Sequence, residues 1–568
     1  MSTRHRHERG SAAGNIITLL LLLGIVGLGA WLWLGRDSGP SEPASAQDSS
    51  QPAGQSRDVA APEGDAPTPI EPVVGTPTLE IANAYVPKDN TLRIDISEYA
   101  GYGGLVVANG GFEPNENSVF FKQHGFKVHI TLSEDETWSA LNNGQLAATA
   151  TTADAIAVLG RQFEAVVPVQ IGYSRGADMV VVDRGITSVN ALAGKTLAAS
   201  QFNESEFFIR YLAQEAGLPV VILRDLDGRP KADTLGLVFY EDAFVACDAY
   251  QHELASGARR LNGCVGWTPK TQEVVDASNG AAKVLVSNRN LLVIADVLAV
   301  NRGFAKAHPK MVEGLVHGIL EGNRLLRDQQ AEHLGVVAKA FGWTEVETRD
   351  ELSHVHLANA PENRAFFGGT IDSAGSFGGI FQSSILAYGS LIRNPADPSR
   401  FLDTSFLDTV AKRSPFSEQK IAIAPIRTAA QSALEGDPLL SKDIRFFFEP
   451  NSSNLDRAAP QNQEYLQTIK RFLQVSPGST VVLRGHVDNA RIQEFRDSGG
   501  EQLVQSMALK AMELSRQRAL AVSDALLQKF PDIDKARVEA VGRGWEEPTG
   551  STDAAQNRRV EVQWFTIE

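Results

Sequence analysis

The sequence has few cysteines and a deficit of basic charge. Its 568 residues include two cysteines, and 53 Lys and Arg are outnumbered by 68 Asp and Glu, which gives a net charge of −15. This balance argues against nucleic-acid binding, because nucleic-acid-binding proteins present concentrated positive charge. The chain is too long for one ordinary core, so we expect two or three domains.

Sequence signals for catalysis are also missing. The glycine-rich run at 101–104 lacks the Gly-x-Gly-x-x-Gly spacing of a dinucleotide site, and no Gly-x-Ser-x-Gly nucleophile motif occurs. His354 and His356 have a metal-like spacing, but the sequence offers no third ligand beside them. We therefore expect no enzyme activity, no cofactor and no metal site.

The two cysteines, Cys247 and Cys264, leave two alternatives open. If the body of the protein is exported, they lie in a compartment that permits disulfides. Their bond would close a short loop worth about 3 kcal/mol in the chain-entropy model. The alternative is a pair of buried free thiols, which are ordinary small core residues.

The N-terminal part predicts a membrane anchor. Residues 16–34 are apolar and uncharged, which is long enough to cross a bilayer as a helix. Arg4, Arg6 and Arg9 precede this stretch, so the positive-inside rule keeps residues 1–15 in the cytoplasm. The alternative is a cleaved signal peptide, whose apolar region is usually shorter. We expect a single-pass protein with its body on the far side of the membrane.

Residues 35–78 have the composition of a linker. They are rich in Pro, Ser, Ala, Gly and Asp and contain no aromatic residue. Such a segment cannot bury enough apolar surface to order itself, so we predict a disordered linker.

Residues 79–414 alternate between strand and helix patterns. Residues 92–96, 126–131 and 196–199 read as strands, and a helix is expected over 204–217. This alternation is typical of parallel β/α layers, in which ligands bind beyond the carboxyl ends of the strands.

Three stretches of this region, 138–154, 185–199 and 294–309, resemble periplasmic solute-binding proteins of the nitrate/sulfonate/taurine type. The resemblance implies a two-lobed α/β module with a small solute in the cleft between its lobes. Carried over by position, the solute-binding candidates are Glu98, Tyr99, Thr151, Thr152, Ser200, Asn203, Trp267 and Asp296. Hydroxyls and amides at helix N-termini suit an anionic or zwitterionic solute, although Glu98 and Asp296 complicate a purely anionic one. The alternative is that Ser200 and Asn203 only cap a helix and that Trp267 is only core.

A connector at 415–441 separates this module from a C-terminal domain at 442–568. The domain's predicted elements follow the order β-α-β-α-β-β, a two-layer α+β sandwich. Its motifs at 485–489, 514–519 and 542–548, together with one at 557–561, resemble the OmpA-like peptidoglycan-binding domain.

That resemblance implies that Asp488 and Arg518 hold the diaminopimelate group of the wall peptide. Asp accepts from an ammonium group, and Arg offers a bidentate fork to a carboxylate. The pocket would be framed by Asn489, Asn557, Arg558 and Arg559. Val487 and Ala511 depart from the family pattern, and the connection at 491–510 is longer than usual. The alternative role for Asp488 and Arg518 is a structural ion pair.

Taken together, these patterns predict a bacterial inner-membrane protein with its body in the periplasm. Its partners would be the lipid bilayer, diaminopimelate-containing peptidoglycan and a small solute. Two alternatives remain: the solute-binding component of an ABC transporter, with a permease partner, or a ligand-dependent envelope sensor or scaffold.

Overall fold

The computed structural model describes residues 64–134, 137–289, 291–370, 375–423, 440–475, 479–549 and 553–565. The predicted membrane helix at 16–34 and most of the predicted linker lie outside these residues. Within them, no helix is both long enough and apolar enough to span a membrane.

The middle module contains the strands of two six-stranded sheets. In chain order its strands are β1 (Thr91–Ile96), β2 (Lys127–Leu132), β3 (Ala148–Thr152), β4 (Ala165–Ser174), β5 (Asp178–Asp183), β6 (Thr196–Ser200), β7 (Val220–Ile222), β8 (Leu235–Tyr240), β9 (Gly263–Trp267), β10 (Ala282–Ser287), β11 (Ala295–Asn301) and β12 (Val355–Leu357). Its α-helices are α1 (Gly103–Asn109), α2 (Val119–His124), α3 (Trp138–Asn142), α4 (Ala153–Leu159), α5 (Glu204–Ala216), α6 (Ala243–Ser256), α7 (Lys270–Ala277), α8 (Arg302–Ala307), α9 (Pro309–Asp328), α10 (Gln330–Phe341), α11 (Glu345–Glu351), α12 (Ala360–Gly368), α13 (Phe377–Tyr388) and α14 (Ser405–Val410).

The two sheets define two lobes. The first has the order β12-β4-β11-β3-β1-β2, in which β1 is parallel to β2 and β3, while β11 runs antiparallel to β3 and β4. The second has the order β10-β5-β9-β6-β8-β7, with β6, β7, β8 and β9 parallel and β5 antiparallel to β9 and β10. The first lobe is thus built from chain on both sides of the second.

The chain crosses between the lobes twice. It leaves the first sheet after Ser174, enters the second at Asp178, and returns between Ser287 and Ala295. The two crossings are joined, because Asn288 Nδ2 donates to Asp178 Oδ2 at 3.0 Å and Gly176 N donates to Asn288 Oδ1 at 2.7 Å. Asp178, Gly176 and Asn288 therefore connect the two crossings.

The second lobe contains a disulfide. Cys247 on α6 and Cys264 on β9 are bonded, with their Cα atoms 5.2 Å apart, and both are fully buried. Of the two alternatives left open by the sequence, the structure has the disulfide, which ties a helix to the sheet beneath it.

The last part of the predicted linker is held against the module. Ile70 N donates to Phe239 O at 2.9 Å, and Val73 exchanges two hydrogen bonds with the Gln201 side chain. Most of these hydrogen bonds involve side chains and are not part of a β-sheet. The hydrophobic pattern of the sequence therefore did not indicate that this segment is bound to the module.

The C-terminal domain is a four-stranded sheet covered by helices. Its elements are β13 (Leu440–Phe447), α15 (Pro460–Val475), β14 (Thr480–Gly485), α16 (Ile492–Lys529), β15 (Val538–Gly542), α17 (Ala554–Asn557) and β16 (Arg559–Phe565). The sheet order is β13-β16-β14-β15, with β14 and β15 parallel. Apart from the short α17, the elements follow the predicted β-α-β-α-β-β order.

Helix α16 begins at Ile492, inside the connection predicted at 491–510. It is interrupted at Gly499 and Gly500, whose φ/ψ angles of −151/16° and 64/−167° are not helical. The long connection predicted at 491–510 is therefore mostly helical, and the two glycines concealed this from the sequence pattern.

Candidate functional site

A buried cavity lies where the two lobes meet. It is lined by Ser97, Tyr99, Tyr102, Thr152, Ser174, Asp178, Glu204, Trp267, Ile294 and Asp296. Its volume is about 10 Å³, which holds about one water-sized sphere. The lining comes from strand ends, from the N-terminus of α5 and from both crossings, which is the position that a cleft ligand would take.

Four of the eight solute-binding candidates line this cavity: Tyr99, Thr152, Trp267 and Asp296. Tyr99 packs edge-to-face on Tyr102, with ring centroids 5.3 Å apart. Tyr102 donates to Asp296 Oδ1 at 3.3 Å. Trp267 Nε1 donates to the carbonyl of Glu98 at 3.3 Å, which fixes the indole at the cavity wall.

The other four candidates do not line the cavity. The Glu98 carboxylate accepts from Trp343 Nε1 at 2.7 Å, and Thr151 Oγ1 accepts from Trp138 Nε1 at 3.3 Å. Asn203 caps α5 and accepts hydrogen bonds from Ser205 N and Glu206 N, which is the capping role given above as the alternative to solute binding. Ser200 is buried at the end of β6.

The cavity is acidic. Asp178, Glu204 and Asp296 line it, and Asp154 lies just behind them on α4. Burial raises the pKa of Asp178 to about 7 and that of Asp154 and Glu204 to about 8, and the charges of neighbouring carboxylates add to each shift. Burial also raises the pKa of Asp296 well above its usual range. Each carboxylate resists ionisation because charge so far from water is poorly solvated.

Six lining residues are not among the candidates that the sequence offers: Ser97, Tyr102, Ser174, Asp178, Glu204 and Ile294. Tyr102 belongs to the glycine-rich run at 101–104, whose spacing excludes a dinucleotide loop and indicates no other site. Glu204 begins a predicted helix, and Asp178 begins an apolar strand and belongs to no motif. A charged residue next to a strand end was the available signal, and it is common on protein surfaces.

The C-terminal domain has a second candidate site, around Asp488. This residue follows the end of β14, and its side chain is 22% exposed. Arg558 Nη1 lies 3.5 Å from Asp488 Oδ2, and Arg558 Nε donates to the carbonyl of Phe448 at 3.3 Å. The site thus exposes one acidic and one basic group side by side.

Arg518 lies behind this pair and is fully buried. Its guanidinium donates to three backbone carbonyls, those of Ser452, His486 and Glu449, at 2.9, 2.9 and 3.1 Å. Burial, together with the nearby charge of Arg558, lowers its pKa to about 10. Arg518 therefore fixes the loop after β13 and the end of β14, and through them the position of Asp488.

Two glycines allow this arrangement. Gly485 and Gly542 are paired across β14 and β15, directly beneath α16. A Cβ at Gly485 would lie 1.9 Å from Ser515 O, and one at Gly542 would lie 2.5 Å from Met512 O. Only glycine lets the helix that carries Arg518 approach the sheet this closely.

The remaining predicted wall-binding residues differ in their surroundings. Asn489 is exposed beside Asp488, whereas Asn557 is buried and accepts from Thr549 N at 2.7 Å. Arg559 is buried and donates to Glu561 Oε1 at 2.6 Å. The long connection also borders this region, since Phe495 stacks on Trp545 with ring centroids 6.4 Å apart.

Histidine contacts do not follow the metal-like spacing noted in the sequence. His356 Nε2 lies 3.0 Å from Glu362 Oε2, away from His354. The ligand atoms of Asp350, Glu351 and His354 lie within 4.8 Å of one another, but Thr268 already donates to the Glu351 carboxylate. We assign no metal site to this group.

The comparison with protein families decides the nature of the C-terminal domain. Residues 447–561 match the OmpA family. This OmpA-like domain contains Asp488, Arg518 and all four motifs on which the sequence resemblance rested. No match was found among curated proteins.

Solved structures similar to the middle module include solute-binding proteins. The aliphatic sulphonate binding protein SsuA from Escherichia coli is 16% identical, with a TM-score of 0.41, and the match covers 57% of this chain and 100% of SsuA. The nitrate-binding protein NrtA from Synechocystis PCC 6803 is 10% identical, with a TM-score of 0.42, over 58% of this chain and 90% of NrtA. The desulfurization enzyme DSZB is 13% identical, with a TM-score of 0.37, over 57% and 99%. These values transfer no ligand or activity to this chain.

The predicted C-terminal OmpA-like domain is confirmed by the family match over residues 447–561. The two lobes and the two crossings are visible in the strand order of the chain itself.

Proposed function

We propose that the protein is a membrane-anchored envelope protein that binds peptidoglycan through its OmpA-like domain and a small solute in its two-lobed module. The observation that carries the first half is the exposed Asp488–Arg558 pair within a domain of the OmpA family. The uncharged stretch at 16–34 supports the anchor.

The geometry around Asp488 fits the chemistry of a diaminopimelate end, which presents an ammonium and a carboxylate on one carbon. Asp488 accepts from the ammonium, and a guanidinium is needed for the carboxylate. Arg558, whose side chain is 16% exposed, can reach a ligand, whereas Arg518 has three of its five N–H groups committed to carbonyls. Arg558 is thus the accessible basic partner, and Arg518 holds the site in shape.

Pull-down of the full-length protein with purified diaminopimelate-containing peptidoglycan tests this function. Asp488→Asn keeps the shape of the side chain but removes its charge, so we expect binding to fall by about 10-fold or more, as the loss of a charge-assisted hydrogen bond implies. Asp524→Asn, at an exposed acid on α16, is the matched control and should bind as the wild type does. Equal binding by Asp488→Asn and wild type would refute the assignment.

The ligand offers a second control. Lysine-type peptidoglycan lacks the terminal carboxylate of diaminopimelate but keeps its ammonium group. If Arg558 holds the carboxylate, Arg558→Gln should weaken binding to the diaminopimelate type and leave the weaker binding to the lysine type unchanged.

The solute-binding half rests on the cavity between the lobes. Its lining comes from both lobes and both crossings, so a bound solute would join the lobes. A solute that binds only the folded module raises its apparent stability by mass action. Mass spectrometry of small molecules released from the purified protein tests for such a solute, and a chain that never carries or binds one would contradict this half.

A further inference from the structure

We propose that the cavity between the lobes binds an organic cation, with a primary ammonium group placed among the carboxylates of Asp178, Glu204 and Asp296. This inference rests on the proposed solute-binding function and names the class of solute. It differs from the anionic or zwitterionic solute that hydroxyls and amides at helix N-termini suit.

The first argument is the balance of charge. Three carboxylates line the cavity, and among the described lining residues there is no Lys, Arg or His to hold an anion. Arg210, the single arginine of α5, is paired with Glu206 at 2.6 Å. A sulfonate or nitrate entering this site would find no cationic partner, and any of the three acids that ionised would repel it.

The second argument concerns the start of α5, where anions bind in many proteins. Here the chain fills that position itself. The Asn203 side chain accepts from Ser205 N at 3.1 Å, and Glu206 Oε2 accepts from Phe202 N at 2.6 Å. Glu204 is the first residue of this helix, so its own carboxylate replaces an external anion near the dipole's positive end.

The third argument is that acceptor atoms at the cavity are left without partners. Asp296 is 3% exposed, and its Oδ2 has no hydrogen-bond partner among the described residues. The hydroxyl oxygens of Tyr99 and Thr152 are likewise buried and unpartnered there. Buried polar groups are nearly always paired, and a ligand with several N–H donors would satisfy such a set.

The fourth argument separates an ammonium from a metal ion. Tyr99, Tyr102 and Trp267 contribute aromatic rings to the wall, and such rings attract organic cations. The three carboxylates are not grouped within 4.8 Å as metal ligands are. Within the described part of the chain, that spacing occurs only at Asp350, Glu351 and His354. The cavity volume of about 10 Å³ matches a group the size of water, which is also the size of an ammonium group.

Isothermal titration of the full-length protein in detergent at pH 8 tests the proposal. The probes are ethylammonium and 1,4-diaminobutane as cations, ethanesulfonate and nitrate as anions, and calcium as a metal ion. We expect an amine to bind and Asp296→Asn to weaken it by 10-fold or more. Glu204→Gln should have a similar effect, which guards against one variant that fails to fold. Asp233→Asn, at an exposed acid before β8, is the matched control and should change the affinity by less than twofold.

The other outcomes overturn the proposal in distinguishable ways. Binding of an anion without any amine would refute the charge class and leave solute binding standing. Calcium binding that Asp296→Asn removes, without amine binding, would replace the organic cation by a metal ion. If no probe binds, the molecules released on denaturation decide: an anion or neutral compound refutes the cation alone, and no released molecule refutes solute binding as well.

Discussion

Asp178 offers a direct test of the acidic cavity that does not need a ligand. It is the first residue of β5 and is 3% exposed, and its Oδ2 accepts from Asn288 at 3.0 Å. Burial, with a further contribution from Asp154, raises its pKa from 3.8 to about 7. Asn at this position keeps the shape of the side chain, removes the titration and still presents an oxygen to Asn288.

The sign of the effect follows from linkage. Because the pKa is higher in the folded than in the unfolded state, the folded protein holds the proton more tightly, and stability falls as pH rises from about 4 to about 7. A shift of about 3 units corresponds to about 4 kcal/mol in all, of which about 2.5 kcal/mol is lost between pH 5 and pH 8. With an unfolding entropy of about 2.1 cal/mol/K per residue over roughly 340 residues, this is about 3–4 °C in melting temperature.

Thermal unfolding of wild type and Asp178→Asn at pH 5 and pH 8 measures this difference. The wild type should lose about 3–4 °C more than the variant between the two pH values, and relief of repulsion at neighbouring carboxylates acts in the same direction. Asp233→Asn, on the exposed face of the same lobe, should match the wild type. Parallel pH dependence in wild type and Asp178→Asn would show that burial does not hold this carboxylate protonated.

Three further predictions concern stability. Replacing both Cys247 and Cys264 by Ser should lower the free energy of unfolding of the second lobe by about 3 kcal/mol relative to the oxidised wild type, and the reduced wild type, as control, should show a similar loss. Arg518→Ala should unfold the OmpA-like domain, because three buried carbonyls lose their donor. Asp488→Asn should weaken peptidoglycan binding without changing the circular dichroism of the domain. Gly485→Ala should lower the melting temperature of that domain, since its Cβ would overlap the backbone of α16.

Elements of the fold could be predicted from the sequence where the hydrophobic pattern and the capping residues agreed. The helix predicted over 204–217 occurs as Glu204–Ala216, because Asn203 caps its start and Gly217, with φ 70°, ends it. The order of strands and helices in the C-terminal domain could also be predicted from the sequence. The helical connection at 492–510 could not be, because Gly499 and Gly500 interrupt a pattern that continues on both sides.

Only part of the cavity lining could be predicted from the sequence, and the reason is different. Tyr99 and Asp296 are 197 positions apart in sequence, and they meet only because the chain crosses between the lobes twice. Candidates chosen because they lie at strand ends include some of the residues that line the cavity. They do not include Asp178, which stands at a crossing, and they do include Thr151, whose hydroxyl is turned to Trp138.

The motif around Asp488 predicts which residues share a site, but it does not predict what each of them contacts. Asp488 and Arg518 are close enough for their charges to interact. The motif could not show that Arg518 is bound to three carbonyls, because those donors and acceptors depend on the loop after β13. Arg558, which the sequence placed at the rim of the pocket, is the base in contact with Asp488.

Charged side chains are paired at one site and acids lack a described counter-charge at the other, and this difference supports the proposal that the cavity binds an organic cation. Around Asp488 the charged side chains have partners: Arg558 lies beside Asp488, and Arg518 donates to backbone carbonyls. In the cleft, acids are concentrated without a described counter-charge, at a destabilisation of about 4 kcal/mol for Asp178 alone above its pKa. Stability sacrificed at a concave site is typical of binding sites, whose missing partner is the ligand. A cation would recover that free energy on binding, whereas an anion would increase the penalty.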